Sequence, residues 1–178
     1  MKGVVFTLLN EMVEEQFGLE AMDTLLTNAG LEGCYISTET YPDEELFLLV
    51  EEASKLTGID ANDLVRSFGE FMLPHFHKNY PTFFEEGMNL KSFLLTVDRV
   101  IHVEVKKLFP EAGLPEFNYI DENDNQLTMI YSSPRKLCML AEGLIAGSAK
   151  HFNTQYSLIH DECMHDDKDA CHLHITIQ

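Results

Sequence analysis

Three groups of residues have the types and spacing that chemistry needs. The first is a single histidine, His102, in NLKSFLLTVDRVIHVEVKKLF, where Leu90, Leu94, Val97, Ile101, Val105 and Leu108 recur at steps of three and four. Neutral imidazole is the commonest protein donor to iron and zinc, so His102 is a candidate metal ligand, haem iron included. The plainer alternative is a core histidine whose two ring nitrogens are satisfied by neighbours. The second group is Tyr131, Ser133 and Arg135, which alternate through YSSPR. In an extended stretch alternate side chains leave one face, and Pro134 favours that stretch by disfavouring the α conformation at Ser133. Two hydroxyls and a guanidinium then make a clamp for carboxylates, the alternative being a solvent-facing strand with an ordinary salt bridge.

The third group lies in IHDECMHDDKDACHLH, where His160, Cys163 and Cys171 are candidate ligands and Cys138 directly follows the clamp. Four nitrogen and sulfur donors close a tetrahedral zinc site, with Cys138 brought in only by the fold. His165, His172 and His174 compete as ligands. Unrelated buried thiols beside a His-rich surface are the alternative reading. Cys34 has no evident partner and reads as a free thiol.

The elements that must position these groups follow from periodicity and punctuation. Asn89 to Phe109 reads as one helix, with Leu95, Asp98, Val105 and Phe109 around His102 at the edge of the buried stripe. Upstream, helices are expected from Phe6 to Phe17, across GLEAMDTLLTNAGL to a stop at Gly30, and across EELFLLVEEASKLTG with Asp43 as its cap. A further helix begins after Asp60 and is interrupted or ended by Pro74 and Pro81. FNYIDENDNQLTMIYSS reads as a hairpin with a polar tip, LCMLAEGLIAGSAKHF as a helix, and the last residues as two strands around an acidic turn. The fold class is therefore α+β, with an N-terminal helical part followed by a small antiparallel sheet with helices.

The chain has 178 residues, 45% of them hydrophobic and 24% charged, which fits one globular domain. A formal charge of −18 with no Lys/Arg cluster excludes nucleic acid as a partner. No stretch approaches a membrane span, and the N-terminus turns acidic too soon for a signal peptide, so a cytoplasmic protein is expected.

A buried histidine and a Tyr-x-Ser-x-Arg clamp together meet the two demands of haem, an axial site and two propionates. In this the chain resembles a stand-alone H-NOX domain, the haem nitric oxide/oxygen-binding fold of bacterial sensors and soluble guanylate cyclases. The resemblance rests on the order and spacing of MKGVVF, FHKNYPTFF, His102, Gly113-Leu114-Pro115, YSSPR and GLIAGSAKHF. It implies one haem-binding domain over 1–178, with a helical part at about 1–65 and a haem-embracing part at about 66–178, haem b lying between helices and sheet. His102 is then the proximal ligand, and Tyr131, Ser133 and Arg135 hold the propionates. Val5, Pro115 and Leu144 pack against the porphyrin. Leu140 stands where oxygen-binding relatives carry a tyrosine, and Leu9, Met72, Leu73 and Phe76 complete an apolar distal pocket.

Without a donor in that pocket bound oxygen is poorly stabilised, whereas nitric oxide bonds to ferrous iron unaided. The resemblance thus implies a nitric oxide sensor that excludes oxygen, with carbon monoxide as a further gas. It signals to a separate histidine kinase or cyclic-di-GMP synthase/phosphodiesterase and is no enzyme itself. Some relatives carry a structural Cys3His zinc site that matches Cys138, His160, Cys163 and Cys171. Two competing readings take that cluster as a thiol redox sensor or as a zinc hydrolase, the latter lacking a general base.

Overall fold

The computed structural model describes residues 1–178, apart from the side chain of Glu122. Four helices come first: α1 (Gly3–Phe17), α2 (Leu19–Ala29), α3 (Asp43–Thr57) and α4 (Ala61–Asn79). Gly30 ends α2 in the left-handed conformation that a helix C-terminus favours, and the Asp60 carboxylate caps α4 by accepting from Asn62 N. After α5 (Leu90–Thr96) come a π-helical segment (Val97–His102) and α6 (Val103–Leu108). Strands β1 (Glu116–Asn123) and β2 (Gln126–Ser132), helix α7 (Cys138–His151), and strands β3 (Tyr156–Glu162) and β4 (Cys171–Ile177) complete the chain.

The sheet is antiparallel in the order β1-β2-β4-β3. The helices-then-sheet order and the hairpin around the polar tip match the expected α+β class. On β4, Cys171, Leu173 and Ile175 face inward while His172 and His174 face the other way, as a period of two requires.

Two apolar clusters form the interior. The N-terminal one joins Val5, Phe6, Leu9 and Met12 of α1 to Met22, Leu25, Leu46, Leu49, Phe68 and Met72. The C-terminal one joins Leu73, Phe93 and Leu94 to Leu127, Met129 and Tyr131 of β2, Ile145 of α7, and Leu173 and Ile175 of β4. Leu144 packs against both.

Helices α4 and α7 meet through Gly69 and Gly143 at backbone distance: a methyl group at Gly143 would collide with the carbonyl oxygen of Arg66. We therefore expect Gly143→Ala to destabilise the fold by about 1–3 kcal/mol, the usual range for forcing a methyl into packed structure. Chemical denaturation checks this, and unchanged stability would mean that the two helices separate at little cost.

Three local expectations are corrected. Pro74 neither ends nor interrupts α4, which runs to Asn79, because Met72 and Leu73 beside it are buried in the two clusters. Asp43 is not the cap of α3 but its first residue, and Pro42 precedes it. Its carboxylate instead accepts from the Met1 amine and from Arg135 Nε, both at 2.6 Å. The helix expected over Asn89 to Phe109 is broken in its middle by the π segment that carries His102.

Candidate haem and metal sites

The π segment has a local cause. Asp98 N donates to Tyr119 Oη of β1 at 3.3 Å, so the sheet engages an amide of this turn. The Asp98 carboxylate accepts from Phe117 N at 3.3 Å, which ties the turn to β1 a second time. Single π turns inside helices recur at functional sites. Here the turn carries His102, whose side chain is 15% exposed, beside Phe117.

His102 Nδ1 lies 3.3 Å from Asp98 Oδ1, one helical step of four residues away. A carboxylate on one ring nitrogen orients the imidazole and leaves the other nitrogen for a metal. Burial pushes the His102 pKa down, against the opposing pull of Asp98, so the neutral form that ligates iron is favoured. Pro115 sits beside it, its backbone also interacting with the ring.

Tyr131, Ser133 and Arg135 converge, but not along one extended stretch. β2 ends at Ser132, and Pro134 and Arg135 form a turn with Lys136 at φ 51°. The cause is the start of α7: Tyr131 Oη accepts from Leu137 N at 2.9 Å, and Ser133 Oγ accepts from Arg135 N at 3.3 Å. Tyr131 and Ser133 are also hydrogen-bonded to each other. Arg135 donates to the Asp43 carboxylate and to Gly113 O. Its guanidinium is thus engaged by a carboxylate of this chain, that of Asp43.

The distal candidates divide. Val5, Leu9 and Met72 are buried in the N-terminal cluster, and Phe76, Leu140 and Leu144 pack against it. Leu73 lies in the C-terminal cluster, against which Leu144 also packs. Two phenols, Tyr35 and Tyr41, also border the N-terminal cluster. Tyr35 Oη donates to Glu45 Oε2 at 2.8 Å, and Tyr41 Oη accepts from Ile36 N and donates to Cys34 O.

The fold brings the second candidate set together. Donor atoms of Cys138, His160, Cys163 and Cys171 all lie within 4.8 Å of one another. The sulfurs of Cys138 and Cys171 each stand 3.8 Å from that of Cys163, and no disulfide joins them. Burial, followed by the neighbouring thiols, raises the Cys138 pKa. His160 Nδ1 is held by Glu142 Oε1 at 2.7 Å, while its Nε2 is buried without any hydrogen-bond partner. A buried imidazole nitrogen with no partner, beside three thiols, is the pattern that a tetrahedral metal ion satisfies.

Cys138 occupies the fourth position of this cluster, which leaves no open site for a hydrolytic water. His165 bonds instead to Lys136 O, and His172 and His174 lie on the opposite face of β4. Cys34 is exposed and free.

From the residues alone Asp43 was expected only as a helix cap, Asp98 only as a neighbour of His102, and Glu142 had no expected role. The spacing of four from Asp98 to His102, and from Cys138 to Glu142, was the available signal. Nothing local signals the pairing of Asp43 with Arg135, 92 positions apart.

The haem-NO-binding family profile matches residues 2–160. The structure of an H-NOX protein from S. oneidensis in the Fe(II)NO state is 35% identical, covers 100% of this chain and 99% of its own, and superposes with a TM-score of 0.94. An H-NOX domain from Shewanella oneidensis in the Fe(II)CO state gives 35% identity, the same two coverages of 100% and 99%, and a TM-score of 0.91. The unliganded Fe(II) H-NOX protein from K. algicida is 32% identical, covers 100% of this chain and 97% of its own, with a TM-score of 0.92. With its fold and sequence shared from end to end, the chain belongs to the haem-NO-binding (H-NOX) family of haem-based gas sensors, which are not enzymes.

Proposed function

We propose that the protein binds nitric oxide at a ferrous haem b held by His102, excludes oxygen, and signals to a separate partner enzyme. The observation that carries the oxygen-excluding part is the apolar group of Val5, Leu9, Met72, Phe76, Leu140 and Leu144, whose bordering phenols are bonded elsewhere. Leu73, in the adjoining C-terminal cluster, completes the proposed pocket. Relatives solved with nitric oxide and carbon monoxide support the choice of gases.

Bound haem would be held by His102 and would supply a ferrous iron with affinity for nitric oxide, its occupation favouring release of His102. The chain's own residues do the rest. Asp98 keeps the His102 ring aligned, and Tyr131, Ser133 and Arg135 would hold the propionates. Once His102 is released, the π segment would shift against β1, to which Asp98 ties it through two hydrogen bonds of 3.3 Å. The helical part, about 1–65, would move relative to the part from about 66 to 178, within one domain. Such two-state motion, rather than turnover, is the output.

The partner is a histidine kinase or a cyclic-di-GMP synthase/phosphodiesterase, and the protein works in the cytoplasm. No helix is long and apolar enough to cross a membrane, among the described residues. Zinc is the structural ion for Cys138, His160, Cys163 and Cys171, supported by the unpartnered His160 Nε2.

The test of the signalling step is His102→Ala. That variant is expected to bind nitric oxide at any haem it retains while leaving partner activity unchanged by the gas. A full response in it would overturn the release of His102 as the trigger.

A further inference from the structure

A second group of ligating side chains lies on the outer face of the sheet, unused by either site above. Asp161 of β3 and His172 and His174 of β4 have donor atoms that all lie within 4.8 Å of one another. Two features of the strands make this so. His172 and His174 alternate with the buried Cys171 and Leu173, so both leave the outer face. An irregularity between His160 and Glu162 interrupts the pairing of β3 with β4, and Asp161 lies within it. Extra residues of this kind re-aim side chains. Asp161 comes to stand 3.0 Å from His174 Nε2.

His174 is also held from behind. Its Nδ1 lies 2.9 Å from Thr128 Oγ1, on the β2 residue paired directly with it, and Thr128 is only 3% exposed. A hydroxyl both accepts and donates, so Thr128 can accept a hydrogen bond from Nδ1–H, the tautomer that leaves the Nε2 lone pair for a metal ion beside Asp161. That is the arrangement found behind metal-bound histidines. An ion with bonds of about 2.1 Å sets tetrahedral donors roughly 3.3 Å apart. The 3.0 Å between Asp161 and His174 is close to this, and a His172 nitrogen lies within 4.8 Å of both.

We propose that Asp161, His172 and His174 form a second metal site, for a divalent first-row transition ion that prefers nitrogen and oxygen donors. Two imidazoles and a carboxylate without sulfur suit nickel, cobalt or zinc, and the remaining positions open to solvent. The side chains of His174 and Asp161 are 39% and 57% exposed, so the ion enters and leaves freely, unlike one among the buried thiols. A formal charge of −18 draws cations to this surface.

The test is a nickel titration of haem-loaded protein that already carries one equivalent of zinc. Calorimetry is expected to show one nickel per chain. Substoichiometric nickel should broaden the ring resonances of His172 and His174 before those of the other histidines, a readout that needs no variant. His174→Ala should abolish the nickel equivalent, and Thr128→Val should weaken it about 10-fold or more through the lost orienting bond. Cys163→Ser should leave nickel binding intact while disturbing zinc. The proposal is overturned if no nickel binds, if His174→Ala binds it unchanged, if other histidines broaden first, or if Cys163→Ser abolishes it.

Discussion

Replacing Leu140 by tyrosine is expected to turn a protein whose spectrum is indifferent to air into one that responds to it. Leu140 lies on α7 and packs against the N-terminal cluster with Val5, Leu9 and Met72. In this pocket a phenol is the missing element: Tyr35 and Tyr41 border the same cluster, but Glu45 and the backbone of Cys34 and Ile36 occupy their hydroxyls. A hydrogen bond to a partly anionic ligand in a dry environment contributes roughly 1.5–3 kcal/mol, or about 10- to 100-fold in affinity. Nitric oxide needs no such donor, so its binding should change far less. Absorption spectra of the reduced wild type and Leu140→Tyr, before and after exposure to air, measure the difference. Identical behaviour of the two would place the determinant of gas choice outside the Leu140 position.

The second large effect is expected from removing metal from the cysteine cluster. Unoccupied, the cluster leaves His160 Nε2 buried and unpaired, a loss of about 1–3 kcal/mol, and the thiols of Cys138 and Cys171, which burial keeps protonated. Zinc replaces those protons, so it should be released as the pH falls, with stability falling alongside. At free zinc about 1,000 times its dissociation constant the ion contributes about 4 kcal/mol, which for a domain of this size lowers the melting temperature by roughly 8–16 °C when lost. Cys171→Ser should lose most of this stabilisation, since Cys171 is fully buried between Cys163 and Met164 N. Thermal unfolding with and without a strong chelator checks both. Protein that purifies without zinc and melts unchanged with chelator would show that the cluster works as free thiols.

Much of this architecture was legible in the residues. Helical spacing marked α1 to α4 and α7, turn residues marked the hairpin, and the acidic turn marked β3 and β4. The unreadable features depend on distant partners. The π segment exists because Tyr119 and Phe117, on a strand formed later in the chain, bind Asp98. The turn at Arg135 follows from the Tyr131 hydroxyl capturing Leu137 N, whereas sequence alternation predicted a straight strand. Cys138 reaches Cys163 only because α7 packs against the sheet, and Pro74 stays inside α4 because burial of Met72 and Leu73 just before it outweighs its missing amide.

The protein is proposed to hold on His102 a ferrous haem that takes nitric oxide and refuses oxygen. Its most direct test is the absorption spectrum of the purified, reduced protein, recorded first alone, then with nitric oxide, then in air. A strong Soret band that moves with nitric oxide and stays in place in air is the predicted result. A band that shifts in air, or no band even when haem is supplied during expression, would contradict the account.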